Sequence, residues 1–360
     1  MNISLVKKCA IFNIQCSMLK EMEKQIFNFS ASSTEFYFAG GFSHLRKITD
    51  PKATVLITDE NIYKAHTKRF NGWNTIVLKA GESYKVQGTV DAVVEALIDM
   101  EADRKTTLVG VGGGVITDLT GYIASVYMRG IRFGFIPTSI LGLVDASIGG
   151  KNGIDVGEYK NMVGVIRQPA FILHDMVLLQ TLPLQEWENG FAEIIKHACI
   201  KDAAMFSLLE ENNLNSFRQR PKKIGELVKR NALIKIRVVR KDEFEKADRR
   251  LLNFGHTLGH ALETQYELLH GQAVSIGMTY ACHMAEQLTG FRQTNRVVHL
   301  LEKYNLPTYA SFNKQKVFKV LKMDKKRERT DMNYVLLEKI GKAVVKPVSL
   351  QQLEQIIQAF

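Results

Sequence analysis

An apolar run passes into three consecutive glycines and then turns helical: Leu108-Val109-Gly110-Val111-Gly112-Gly113-Gly114-Val115-Ile116-Thr117-Asp118. Glycine loses more chain entropy on folding than any other residue, so three together mark backbone that must stay bare. A strand that enters a helix through bare backbone exposes the unpaired N–H groups and partial positive charge of the helix start. A dinucleotide pyrophosphate needs such a place. The spacing is not Gly-x-Gly-x-x-Gly, because Val115 stands where the third glycine would fall. A tight strand–helix turn is the plainer reading of the same residues.

The surrounding pattern sets the architecture. Short apolar runs at Thr54–Thr58, Asn74–Leu78, Thr106–Val111 and Ile131–Ile136 read as strands, and Val86–Met100 has helical spacing. Strands alternating with helices imply βαβ units and a mostly parallel sheet. After Leu182-Pro183 glycine thins out and helical periodicity takes over, at Gln185–Glu211, Lys222–Arg240, Leu258–Leu269, Gln272–Gln287, Asn295–Lys303 and Leu350–Phe360. The expected organisation is an N-terminal tail (1–25), an α/β half with a parallel sheet (26–182) and an all-α half (183–360). A cleft between two such halves favours a small-molecule site.

Composition removes other classes. The chain has 360 residues, 46% hydrophobic and 24% charged, enough for two packed cores. No uncharged apolar stretch is long enough to span a membrane. Met1–Ser17 is lysine-led, but Asn13 and Gln15 break its apolar run and no cleavage site follows, so it is expected to be a tail and not a leader. Four scattered cysteines imply no disulfide framework and a reducing, cytoplasmic setting. A formal net charge of +11 suits nucleic acid, an acidic membrane or an anionic small substrate, and by itself selects none. The basic run Lys325-Lys326-Arg327 lacks the interleaved aromatics of a single-strand binder.

Three more constellations carry chemistry. Asp145-Ala146-Ser147-Ile148-Gly149-Gly150-Lys151-Asn152-Gly153, followed by Lys160-Asn161, joins an acid and two lysines in a segment too glycine-rich for a helix. It suits a phosphate or carboxylate, and equally a glycine-rich surface loop. Glu193 and Lys196 share one helix face in apolar surroundings, as an ion pair or as part of a site. Leu252-Asn253-Phe254-Gly255-His256-Thr257-Leu258-Gly259-His260 places two histidines on one helix face, with His270 at the end of that helix. Neutral imidazoles with one carboxylate make an open zinc site. The glutamate of a His-Glu-x-x-His peptidase is missing, since Thr257 takes its place.

Together these segments resemble the 3-dehydroquinate synthase family. The likeness runs in order over about residues 35–345 and includes Pro137-Thr138-Ser139, Asn189-Gly190-Phe191-Ala192-Glu193-Ile194-Ile195-Lys196, Leu269-His270-Gly271 and Met323-Asp324-Lys325-Lys326. The resemblance implies a Rossmann-like N-terminal domain, a helical C-terminal domain, a homodimer, NAD, and zinc or cobalt. It implies metal ligands Glu193, His256 and His270. It implies NAD contacts from Asp59, Asn61, Glu82, Lys85, Gly113, Gly114, Asp118, Thr138, Ser139, Asp145, Lys151, Lys160 and Thr181. Substrate contacts would come from Asp145, Lys151, Asn161, Lys196, Lys235, Arg249, Asn253, His260, Lys325 and Lys326, with Arg129 reaching across a dimer interface. Lys151, Asn161, Lys196, Lys235, Arg249, Asn253 and His260 would be the catalytic set. The implied substrate is 3-deoxy-D-arabino-heptulosonate 7-phosphate, a phosphosugar, with no nucleic acid or membrane partner.

Two departures stand out. Asn152 replaces the usual threonine after Lys151, and Glu245-Lys246-Ala247-Asp248-Arg249 replaces a more glycine-rich stretch. The competing expectations are a sugar-phosphate cyclase acting on sedoheptulose 7-phosphate or glucose 6-phosphate, a metal-dependent polyol dehydrogenase, and a non-catalytic basic binding module.

Overall fold

A computed structural model of the chain describes residues 23–157, 159–321, 327–328 and 331–359. Lys325 and Lys326 lie outside the described residues, as do residues 1–22.

Seven strands form the main sheet, in the order β1-β2-β9-β6-β5-β3-β4. They are β1 (Glu23–Asn28), β2 (Ser33–Phe38), β3 (Thr54–Asp59), β4 (Asn74–Leu78), β5 (Thr107–Gly112), β6 (Arg132–Pro137) and β9 (Phe171–Leu173). β1 pairs antiparallel with β2, and every other pair in this sheet is parallel. The remaining strands of this half, β7 (Lys151–Val156) and β8 (Tyr159–Ile166), make a separate antiparallel hairpin.

Alternation explains the two covered faces. Val55 and Ile57 of β3 pack in a layer with Val90, Val93, Leu119 and Ile123, while Leu56 faces Phe42, Leu45 and Phe70 on the other side. After the single turn α1 (Leu45–Ile48), the helices of this half are α2 (Glu60–Phe70), α3 (Gln87–Asp99) and α4 (Gly114–Val126). α2 follows β3 onto one face and α4 follows β5 onto the other. The chain therefore changes side between neighbouring strands β3 and β5, and their carboxyl ends frame a crevice where ligands of such sheets bind.

The second half is built around α5 (Leu184–Lys201), buried almost throughout from Trp187 to Ile200. Around it lie α6 (Ala203–Glu210), α7 (Leu214–Arg218), α8 (Pro221–Lys241), α9 (His256–Gln265), α10 (His270–Leu288), α11 (Thr294–Lys303), α12 (Lys314–Leu321) and α13 (Leu350–Ala359). Gly255 opens α9 at φ +78, and a Cβ on Gly277 would run into the Gly255 carbonyl, so α9 and α10 cross closely because both positions are glycine.

Four expectations are corrected. The C-terminal half is helical but not all-α: β10 (Arg327–Glu328), β11 (Asp331–Lys339) and β12 (Lys342–Ser349) form a small antiparallel sheet. Its apolar run, Tyr334 to Leu337, is buried in the helical core. Asp145 lies in a short π-helical turn (Gly142–Ala146), and Lys151 starts β7, so that segment is not one open loop. His270 begins α10 and does not end the preceding helix. The expected tail boundary at residue 25 falls within β1.

Candidate active site

Three elements bring the expected metal ligands together. Glu193 is fully buried on α5, His256 is the first residue of α9, and His270 is the first residue of α10. Glu193 Oε1 lies 3.4 Å from His256 Nε2 and 3.2 Å from His270 Nε2. All three ligand atoms fall within 4.8 Å of one another. The outer nitrogens are also engaged: His256 Nδ1 lies 3.1 Å from the Phe254 carbonyl, and His270 Nδ1 lies 3.4 Å from Glu263 Oε2. A carbonyl or carboxylate behind each imidazole fixes the ring and tautomer for metal binding. Burial works against a charged His270, but Glu193 and Glu263 override it and hold the pKa up to about 10. Burial also opposes the Glu263 carboxylate, yet His270 and Lys160 draw it down to about 2. A carboxylate and two oriented imidazoles around one point fit zinc or cobalt.

Buried cations surround this group. Lys196 pairs with Glu193, and Lys235 Nζ lies 2.7 Å from Asp145 Oδ1 and donates to the Asp145 carbonyl at 2.7 Å. Burial resists ionisation of Asp145, but Lys235 and Lys196 hold its carboxyl far below the usual range. Burial pushes the Lys235 ammonium the other way, below its ordinary value. Arg249 is 3% exposed and donates to the carbonyls of Gly149 and Glu243. His260 sits at the open side, its ring 5.1 Å from that of His256.

The nucleotide candidates line the carboxyl ends of β3, β5 and β6. Asp59 ends β3 and caps α2, its Oδ1 accepting the N–H groups of Asn61 and Ile62. Gly113 precedes α4 and Gly114 begins it. A Cβ on Gly112 would meet Ile116 at 2.6 Å, whereas one on Gly113 would meet only Ser139 Oγ, at 3.6 Å. Packing therefore explains Gly112. Gly113, at φ −76, is bare without any steric or backbone demand. Thr138 and Ser139 follow β6, with the Thr138 N–H bonded to the Gly112 carbonyl at 3.0 Å. Lys85 is buried among Glu82, Asp118 and Asp155 at 3.0, 3.4 and 3.5 Å. Burial raises Asp118 to about 7 despite that ammonium. Thr181 Oγ1 lies 2.8 Å from His66 Nε2.

The hairpin links the two ends. Lys160 Nζ reaches Glu263 Oε1 at 2.7 Å, and Asn161 Oδ1 accepts from Lys85 Nζ at 2.8 Å. Arg129 is exposed in the turn after α4, away from these contacts. Sequence reasoning missed Glu245, whose carboxylate pairs with Lys151 and accepts from Asn253 Nδ2 at 2.6 Å. Nothing in a run as charged as Asp242–Arg250 separates an inward carboxylate from its solvated neighbours. It also missed Asp155.

The fold is that of the sugar-phosphate cyclases. A 2-deoxy-scyllo-inosose synthase, solved with carbaglucose-6-phosphate, NAD+ and Co2+, superposes with a TM-score of 0.82 at 24% identity, covering 94% of this chain and 100% of that one. A 2-epi-5-epi-valiolone synthase from Streptomyces hygroscopicus subsp. jinggangensis 5008, with NAD+ and Zn2+ bound, gives 0.79 at 28% identity over 87% of this chain and 92% of that one. Within the class, residues 75–189 match the 3-dehydroquinate synthase N-terminal family and residues 190–327 the C-terminal one. A 3-dehydroquinate synthase of Thermoanaerobacter pseudethanolicus is 35% identical over 328 residues, 87% of this chain and 92% of that relative. The chain belongs to the 3-dehydroquinate synthase family.

Proposed function

We propose that the chain converts 3-deoxy-D-arabino-heptulosonate 7-phosphate to 3-dehydroquinate and phosphate, as a phosphate-eliminating carbon–oxygen lyase. This is a step of the shikimate pathway toward chorismate and the aromatic amino acids. The observation that carries the reading is the convergence of Glu193, His256 and His270 beside the buried lysines Lys196 and Lys235.

When bound, a zinc or cobalt ion supplies Lewis acidity at adjacent substrate hydroxyls, and NAD takes up and returns one hydride. Glu193, His256 and His270 would hold the metal. The N–H groups at the start of α4, bared by Gly113 and Gly114, would hold the dinucleotide phosphates, with Lys85 and Asp118 close by. Lys151, Lys196, Lys235 and Arg249 offset the charge of the substrate's carboxylate and phosphate. With the substrate oxidised, its neighbouring C–H becomes acidic and phosphate departs by β-elimination, taking the proton itself. Glu245, held by Lys151 and Asn253, and His260 at the open side are placed to move protons afterwards. Ring opening and an intramolecular aldol follow while the same cations hold the chain of carbons in place.

The proposed assembly is a homodimer in the cytoplasm. Tyr159, Met162 and Ile166 of β8 are 63%, 46% and 42% exposed, and Val126 and Met128 beside Arg129 are also exposed. Exposed apolar side chains of this kind suit contact with a second copy, which would bring Arg129 to its partner's phosphate site. Among the described residues no helix is long and apolar enough to cross a membrane.

The test is phosphate release from the heptulosonate phosphate, from sedoheptulose 7-phosphate and from glucose 6-phosphate, with and without chelator. The expected result is release from the first alone, abolished by chelation and without net NADH. Release from another sugar would move the chain to a sister cyclase. Net NADH without phosphate would make it a polyol dehydrogenase.

A further inference from the structure

The β7–β8 hairpin is irregular at one place. Its ladder pairs Ile154 with Val163 and Val156 with Tyr159, so Lys160, Asn161 and Met162 of β8 all stand opposite Asp155 of β7. Such bulges re-aim side chains and gather beside active sites. Here the bulge turns Lys160 toward Glu263 and Asn161 toward Lys85.

Asn161 has φ +52, in the left-handed region that asparagine tolerates better than most residues with a side chain, and a contact to its backbone N–H fixes it there. The holding group is Asp155. Its Oδ1 accepts the Asn161 backbone N–H at 2.6 Å and lies 3.5 Å from Lys85 Nζ. The Asp155 N–H donates to the Lys85 carbonyl at 2.8 Å. Asp155 is 9% exposed, so these contacts are shielded from water. The Lys85 ammonium can only donate, so it selects the oxygen of the Asn161 amide and turns the NH2 group the other way.

We propose that Asp155 is a positioning residue for the reaction. It holds Asn161 in the left-handed conformation and Lys85 in register, and so fixes which amide atom Asn161 presents to substrate. Through it, a nucleotide-side lysine and a substrate-side asparagine become one hydrogen-bonded unit. The inference rests on the functional reading above for what Lys85 and Asn161 touch, while the hydrogen-bonded unit does not depend on that reading.

The experiment compares Asp155→Ala, Asp155→Asn, Asn161→Ala and the double variant Asp155→Ala/Asn161→Ala in the full chain. It measures KM and kcat for phosphate release, NAD dissociation by calorimetry, and thermal unfolding. Losing a buried acceptor is expected to raise KM about tenfold in Asp155→Ala and to weaken NAD a few-fold. Asp155→Asn still offers an oxygen to the Asn161 N–H and should bring KM back to within about threefold of wild type. The double variant should be no worse in KM than Asn161→Ala. A wild-type KM and NAD affinity in Asp155→Ala overturns the proposal. So do additive KM effects, or a lower melting temperature and folded fraction with KM unchanged. If Asp155→Ala does not fold, Asp155→Asn decides in its place: it no longer sets a charge against the Lys85 ammonium, so NAD should weaken a few-fold while KM stays within about threefold of wild type, and an unchanged NAD affinity overturns the proposal. Absence of phosphate release from the wild type would count against the functional reading, and NAD binding by the variants would still judge the hold of Asp155 on Lys85.

Discussion

Replacing Gly113 by serine separates stability from nucleotide binding. Gly113 is the residue before α4, at φ −76 and ψ −166, where serine is a preferred helix cap. The new Cβ would meet only Ser139 Oγ, at 3.6 Å, so the substitution fits. Serine gains a few tenths of a kcal/mol as a cap and about 0.4–1 kcal/mol from a less flexible unfolded chain. The variant should therefore be about 0.7–1.3 kcal/mol more stable than wild type. The serine oxygen would accept from the N–H groups of Val115 or Ile116, the same donors an incoming phosphate needs. Losing one charge-assisted hydrogen bond costs about 1.5–3 kcal/mol, a roughly 10- to 150-fold rise in the NAD dissociation constant. Urea unfolding gives the first quantity and calorimetric titration with NAD the second. Gly112→Ala is the contrast, because its Cβ would sit 2.6 Å from Ile116 and overpacking should cost about 1–3 kcal/mol. A Gly113→Ser protein that is stabilised and binds NAD like wild type would refute the phosphate cradle and leave a tight turn as the only role of the glycines.

Other outcomes follow from buried groups. Burial holds the His174 pKa down to about 3 between Phe36 and Phe38. The unfolded chain therefore binds a proton below about pH 6.5 that the folded chain refuses, and stability falls as pH drops from there toward about 3. His174→Phe should remove about 2.5 kcal/mol of the stability lost between about pH 7 and about pH 4.5, read from urea midpoints, and an unchanged pH slope would contradict this. Lys235→Met leaves the partly buried Asp145 carboxylate with Lys196 as its remaining cation and should destabilise the fold by about 1–3 kcal/mol at neutral pH, less in acid where Asp145 takes a proton. Gly277→Ala must push α10 off the start of α9, so it should cost at least about 2 kcal/mol and also weaken zinc binding through His256, as equilibrium dialysis would show.

Much of this was legible in the sequence because strong local signals coincided with burial. Strands such as Thr54–Thr58 are apolar on both faces because both faces are covered, and the helices from Leu184 onward carry clear periodicity. The three metal ligands were named from the resemblance, and histidine spacing alone had placed only His256, beside the non-ligand His260, on one helix face. What stayed hidden depended on the third dimension. No glycine or proline marks the break after Gln265, so His270 looked like the end of one helix when it starts the next. Tyr334-Val335-Leu336-Leu337 is a short apolar run that suits strand or helix equally, and so β11 broke the all-α expectation. Glu245 and Asp155 sit in charged or turn-like stretches, where their inward direction comes from a left-handed residue in one case and a bulge in the other.

The most direct measurement is anomalous diffraction at the zinc edge from crystals grown with zinc. One strong peak per chain is expected, at about 2.0–2.2 Å from Glu193, His256 Nε2 and His270 Nε2 together. A peak bound elsewhere, or none at these side chains in zinc-saturated crystals, would contradict it.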